Sequence, residues 1–257
     1  MDLKKFYKEI KCSDAAEIFA ELRKLSEAHF IYESKDISHI YGRLSLIGID
    51  PVLEISAKNS CYKIRALNER ADSYINQFEG LELEAEVKKE LIGFSEDNRS
   101  KAKNTSKVIR KFLEKFKQNK KSFLGLYGAF AYDFARLFED IPEKLEDSEK
   151  VDDFRLQLYD SFVFFDHLKE KAEIIAYRED KESADQQIEK IFSMFEAEKK
   201  TAYKIDSPKF EMERAEFEGL VKNAQDLAKK GELFEVVYSN KLEANFSGDP
   251  FALYQDY

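Results

Sequence analysis

The sequence predicts an α+β fold, and three observations predict it. Several short apolar runs of period two are separated by turn residues rather than by helices, which is how antiparallel strands read. Helical stripes are scattered among them without the regular strand–helix alternation that a parallel sheet requires. The 257 residues, 43% hydrophobic and 36% charged, suffice for one large domain or two small ones, with a substantial core under a charged surface.

Ser13 is expected to cap a first helix whose stripe is Ile18, Phe19, Leu22 and Leu25. A strand follows at residues 30–32. Residues 44–49 and 52–55 flank Asp50-Pro51, a tight break, and residues 61–67 alternate Tyr62, Ile64 and Ala66 against Cys61, Lys63, Arg65 and Leu67. With Lys58-Asn59-Ser60 as a turn, these runs predict a small antiparallel meander. Residues 71–107 are charged and weakly patterned, a helix plus a loop. Thr105 or Ser106 can then cap a helix striped by Val108, Ile109, Phe112, Leu113 and Phe116. Residues 123–130 form an apolar strand in which Gly125 and Gly128 imply close backbone approach.

Residues 162–165 and 174–177 read as neighbouring strands, followed by a helix carrying Ala184, Ile188, Ile191, Phe192 and Phe195. Pro208 breaks the chain, and no repeat or low-complexity linker divides it cleanly. A last long helix is striped by Phe217, Leu220, Val221, Ala224, Leu227 and Ala228. It finishes on Lys229 and Lys230, which suit the negative end of the helix dipole, and on Gly231, which suits a left-handed turn. Residues 233–239 then read as an apolar strand, and Asp249-Pro250 opens another helix.

A net charge of −9 argues against a nucleic-acid or anionic-membrane surface. No apolar run approaches the roughly 20 residues of a membrane helix, and the N-terminus lacks the apolar stretch of a secretory signal. Cys12 and Cys61 lie far apart without metal-type spacing, as free thiols of a cytoplasmic protein do.

No catalytic constellation is complete. His29, His39 and His167 are dispersed, and there is no nucleophile elbow or phosphate-cradling glycine loop. Phe112, Phe116, Phe130 and Phe134 are better explained by packing than by ligand stacking. One stretch stands apart: Phe30-Ile31-Tyr32-Glu33-Ser34-Lys35, where an apolar strand runs into a carboxylate, a hydroxyl and an ammonium. It reads either as an ordinary strand exit or as a place to hold a small zwitterion. In the second case the carboxylate accepts from an ammonium or indole N–H.

That stretch resembles the Leu-Leu-Glu-Ser element of the anthranilate synthase component I family, part of its tryptophan feedback site. Glu33 and Ser34 match it, while Ile31 and Tyr32 stand where leucines are usual. Further similarities follow in order. Arg43-Leu44-Ser45-Leu46-Ile47-Gly48-Ile49-Asp50-Pro51 is similar to the family's next strand. Gly125-Leu126-Tyr127-Gly128-Ala129-Phe130-Ala131-Tyr132-Asp133-Phe134, with Phe138-Glu139-Asp140-Ile141-Pro142, is similar to its glycine-flanked strand and the signatures after it. Residues 153–167, ending in Asp166-His167, and residues 231–239, entering the chorismate-binding domain, complete the set. Tyr238 and Lys35 depart from it, standing where proline and a small residue are usual.

The resemblance implies the N-terminal part of that fold: antiparallel sheets sandwiched and flanked by helices, residues 1–205 regulatory and 209–257 the start of the catalytic domain. It implies an enzyme that makes anthranilate and pyruvate from chorismate and ammonia, the ammonia supplied from glutamine by an amidotransferase subunit, component II. Amination precedes pyruvate elimination. Magnesium would be the cofactor, its ligands and all catalytic residues lying outside this chain. Tryptophan would be the effector, bound by Glu33 and Ser34, with Arg43 for its carboxylate or else simply closing a turn. Aminodeoxychorismate synthase component I shares most of these signatures and is the alternative within the family. A non-catalytic amino-acid-binding module is the alternative outside it. The sequence leaves room for a homo-oligomer.

Overall fold

The computed structural model describes residues 1–33, 42–87, 103–117, 122–139, 141, 150–195 and 202–257. The chain divides into two compact units, Met1–Ala197 and Glu198–Tyr257, so the division precedes the expected break at Pro208.

The first unit holds two five-stranded antiparallel sheets. Sheet 1 runs β1 (Lys4–Lys11), β10 (Lys171–Arg178), β9 (Ser161–Asp166), β3 (Leu44–Ile49), β2 (His29–Tyr32). Sheet 2 runs β6 (Glu84–Glu86), β5 (Cys61–Ala66), β4 (Leu53–Lys58), β8 (Phe154–Tyr159), β7 (Gly125–Phe130). Helices α1 (Ala15–Leu22) and α4 (Lys181–Phe192) pack on sheet 1. Helices α2 (Ala71–Ile75) and α3 (Lys107–Lys115) bring Tyr74, Val108, Ile109 and Phe112 into the core of sheet 2. The predicted fold class is therefore observed.

Period two explains how the sheets stack. On β9, Phe162 and Phe164 share one face and Val163 and Phe165 the other. Phe162 meets Tyr127 and Tyr159 of sheet 2 at ring distances of 5.6 and 6.4 Å. Val163 and Phe165 are fully buried on the opposite face. The expected meander is corrected by this arrangement. Residues 30–32 and 44–49 belong to sheet 1, whereas 53–58 and 61–66 belong to sheet 2. The reason is the break at Asp50-Pro51: Asp50 adopts a left-handed conformation, φ 51°, and sends the chain from one sheet to the other. A second crossing, from β8 back to β9, passes through Asp160.

One arginine spans both crossings. Arg70 donates to Asp50 Oδ2 at 2.9 Å and to both carboxylate oxygens of Asp160 at 3.3 Å. Asp160, fully buried, also pairs with Arg178 at 2.9 Å and accepts from the Tyr74 hydroxyl at 2.9 Å. Burial pushes the Asp50 carboxyl up, but the Arg70 charge and hydrogen bond outweigh it and hold the group below the ordinary carboxylate value.

Other local expectations shift for physical reasons. Asp14, not Ser13, caps α1, accepting from the N–H groups of Ala16 and Glu17 at 2.8 and 3.2 Å. Gly128 confirms close approach, since a Cβ there would lie 2.0 Å from the Arg155 carbonyl oxygen, whereas Gly125 has only ordinary contacts. Phe112 is core, but Leu113 and Phe130 are about half exposed, Phe130 resting on Phe134 at 4.7 Å.

The second unit pairs β11 (Tyr203–Phe210) with β12 (Leu242–Gly248) and carries α5 (Arg214–Lys229) and α6 (Pro250–Asp256). Pro208 does not end the strand. It sits in a register shift between Asp206 and Lys209, where its missing N–H is harmless. The end of α5 follows expectation: Glu232 N–H reaches the Leu227 carbonyl and Gly231 N–H the Ala228 carbonyl, both at 3.0 Å, with Gly231 at φ 78°. Asp249 caps α6 through the Phe251 N–H at 2.9 Å, with Pro250 in the first turn. Residues 233–239 are not a strand. Their backbone joins no ladder among the described residues, and the pairing with β11 goes to Leu242–Gly248.

Candidate functional site

Glu33 follows directly on β2, an edge strand whose position is set from both faces. On one face, Phe30 lies over Gly48, its partner on β3. A Cβ on Gly48 would come within 2.1 Å of the Phe30 ring. Phe30 also stacks on Tyr127 at 4.6 Å and meets Tyr159 edge-on at 4.8 Å. On the other face, His29 meets Phe19 of α1 edge-on at 5.2 Å. Strand alternation then turns Ile31 and Glu33 to the face of β2 that looks toward α1.

There a cavity of about 210 Å³ opens, lined by Ser13, Asp14, Ala15, Glu33, Gly42, Ser45 and His167. Its walls are the N-terminal turn of α1, the exit of β2, the entry to β3 and the turn after β9. Ser45 Oγ lies 2.8 Å from His167 Nε2, and the His167 N–H donates to the Arg43 carbonyl at 2.8 Å. Of the three histidines, His167 enters this wall. Spacing could not reveal this, because Ser45 and His167 are 122 residues apart and meet only through the β3–β9 ladder.

Arg43 stands behind the wall. Its Nε and one terminal nitrogen donate to the Asp166 carboxylate at 3.2 and 2.8 Å. One edge of the Arg43 guanidinium thus engages Asp166 and ties the entry of β3 to the end of β9. Hydrogen bonding from Arg43 holds the Asp166 carboxyl below its ordinary value. Burial and the nearby Glu170 and Asp166 push the Cys12 thiol up, so it is no activated nucleophile. Ser34 lies outside the described residues, as do His39, Asp140 and Pro142 of the motifs quoted above.

The cavity offers two carboxylates, Asp14 and Glu33, two hydroxyls and an imidazole, a set suited to binding a small polar molecule. Among the described residues, no three or more His, Cys, Asp or Glu side chains converge as a metal ion would need. Among the described residues, no helix is long and apolar enough to cross a membrane.

A family model described as chorismate binding enzyme matches residues 61–257. The chain belongs to the chorismate-binding enzyme family. Relatives agree with this placement in the family. Anthranilate synthase component 1 of Lactococcus lactis is 32% identical over 141 residues, 51% of this chain and 31% of that protein. The Buchnera aphidicola protein of the same name is 26% identical over 259 residues, 89% of this chain and 49% of its own length. That of Aquifex aeolicus is 24% identical over 257 residues, 93% and 47% respectively. The solved structure of anthranilate synthase component I from Streptococcus pneumoniae superposes with a TM-score of 0.56 at 22% identity. That match covers 97% of this chain and 52% of the other, and it shows the fold. The chain spans about half or less of the length of the curated relatives it matches. The cavity residues precede residue 61 except for His167, so the family match itself does not speak to most of them.

Proposed function

We propose that the chain is the N-terminal, regulatory portion of an anthranilate synthase component I. In the whole protein, chorismate and ammonia give anthranilate, pyruvate and water, the ring being aminated before pyruvate leaves. An amidotransferase subunit supplies the ammonia from glutamine, and the protein works in the cytoplasm with magnesium. The observation that carries this reading is the family match through residues 61–257, joined to relatives named anthranilate synthase that align along 89% and 93% of the chain.

Magnesium bound elsewhere in the whole protein would supply charge stabilisation for the carboxylates of chorismate. Its ligands are proposed to lie outside this chain. By itself the chain is then inactive: residues 1–257 with chorismate, ammonium and magnesium produce no anthranilate fluorescence. Turnover near that of a complete homologue overturns this. In the whole protein the same assay gives anthranilate, and accumulation of an aminated, pyruvate-retaining product instead overturns the choice of anthranilate synthase.

The cavity beside β2 is proposed as part of a tryptophan feedback site, with Glu33 accepting from the ammonium or indole N–H and Ser34 binding through its hydroxyl. Arg43 enters the proposal through its grip on Asp166, which fixes the turn that carries His167. In the whole protein, Glu33→Ala or Ser34→Ala is expected to raise the tryptophan concentration for half-inhibition by about ten- to a hundredfold, the scale of ~1–3 kcal/mol for a lost buried hydrogen bond. Unchanged inhibition in both variants removes the site from this strand.

A further inference from the structure

Sheet 2 and the helix that covers it do not fill the space between them. Phe112 and Phe116, four residues apart at the end of α3, lie on one face of that helix. Aromatic neighbours hold both rings, Phe78 meeting Phe112 at 4.6 Å and Tyr74 meeting Phe116 at 5.2 Å. Across from them, strand alternation puts Leu124 and Leu126 on the same face at the start of β7, with Leu126 opposite Leu158 of β8. These five side chains bound a cavity of about 290 Å³. Leu113, about half exposed, lines it too, so the cavity reaches solvent.

Protein interiors are close-packed, with few voids larger than a water molecule, so a space of this size under a helix is not ordinary packing. It stands near the lower end of the roughly 300–1,000 Å³ of small-molecule sites. The polar side chains of its lining are Lys117, just after α3, and Ser122, just before β7. Both hold a donor in reserve. Lys117 makes no ion pair among the described residues. Ser122 Oγ accepts from the Leu124 N–H at 3.1 Å, and its own hydrogen has no acceptor among the described residues. An apolar chamber that ends in an ammonium and a hydroxyl hydrogen is the complement of a carboxylate on an apolar body.

We propose that this cavity binds a small monocarboxylate of on the order of ten non-hydrogen atoms, the size set by the ~30 Å³ that a water molecule occupies in the liquid. Its carboxylate accepts from Lys117 Nζ and Ser122 Oγ, and its body lies between the phenylalanine rings and the leucines. Phe112 and Phe116 favour an aromatic body, because ring edges and faces attract one another beyond the area they bury. A second carboxylate at the far end of the ligand would lie among leucines without a donor, so diacids are disfavoured. The site belongs to the first unit alone and shares no residue with the cavity beside β2.

The test titrates residues 1–257, with leucine methyl groups isotopically labelled for NMR, against benzoate, benzyl alcohol and terephthalate. Benzoate is expected to shift the methyls of Leu113, Leu124, Leu126 and Leu158 saturably, with half-saturation at or below about 1 mM, a modest affinity for so small a ligand. Benzyl alcohol, which keeps the ring and lacks the charge, should bind at least about threefold more weakly. Terephthalate, a diacid, should bind at least about tenfold more weakly. Lys117→Gln alters an exposed side chain and leaves the core intact. It should weaken benzoate about three- to tenfold, the scale of one exposed ion pair, and leave benzyl alcohol unchanged. Three results overturn the proposal: no saturable shift at these methyls, benzyl alcohol or terephthalate binding as tightly as benzoate, or a benzoate affinity that Lys117→Gln leaves unchanged. No step of the measurement uses chorismate, so its outcome is independent of the proposed activity.

Discussion

Asp160 meets two arginines and a tyrosine hydroxyl with no access to water. Removing its charge leaves the buried Arg178 without its carboxylate and Arg70 with Asp50 alone, so Asp160→Asn is expected to cost about 3–5 kcal/mol in urea unfolding. Tyr74→Phe, which deletes one hydrogen bond and keeps the packing, should cost about 1 kcal/mol. Acid acts on the neighbouring groups. Asp50 and Asp166 have folded pKa values below the unfolded value of about 3.9, so their contribution is complete above that pH and is lost as pH falls through the lower folded values. The urea midpoint is therefore expected to hold from neutrality to about pH 5 and to drop below about pH 4, with a shallower drop in Asp50→Asn. Asp153, pushed up by burial, works in the opposite sense and blunts the effect. None of this network was legible in the sequence. Arg70 and Asp160 are 90 residues apart in a chain with 51 acidic side chains, and only folding selects which acid meets which base. Glu33 was legible for a simpler reason, because it stands where an apolar strand ends.

The edge strand β2 is fixed by one aromatic ring seated on one glycine. Gly48→Ala forces Phe30 off that seat and is expected to cost about 1–3 kcal/mol by overpacking. Adding Phe30→Leu should recover part of the loss, and a double-mutant cycle in thermal unfolding measures the coupling. If the two changes simply add, the ring is not seated on Gly48. A strand that packs on one side, such as β5, could be read because the packed face preserves period two. β1 could not. As an edge strand it carries Lys4, Lys5, Lys8 and Lys11, charges that hide the alternation while discouraging edge-to-edge association. The run at residues 233–239 shows the converse: apolar content alone does not make a strand where no partner backbone is offered.

At the scale of the molecule, the two units are expected to be separable in stability. Residues 1–197 alone should reproduce the major unfolding transition of the whole chain, within about 1 kcal/mol, because the described core cluster lies entirely within them. Circular dichroism against urea checks this, and failure of the shortened chain to fold refutes it. Membership of the fold class was readable from local patterns. The assignment of strands to sheets was not, since it depends on two crossings whose partners are remote in sequence. Those crossings share the Arg70 side chain, and this has a mechanical meaning. Pulled from its two ends, the first unit has no weak seam along which one sheet can peel away while the other survives. Extension by optical tweezers should therefore show one sharp rip for this unit where a loosely joined sandwich would give two.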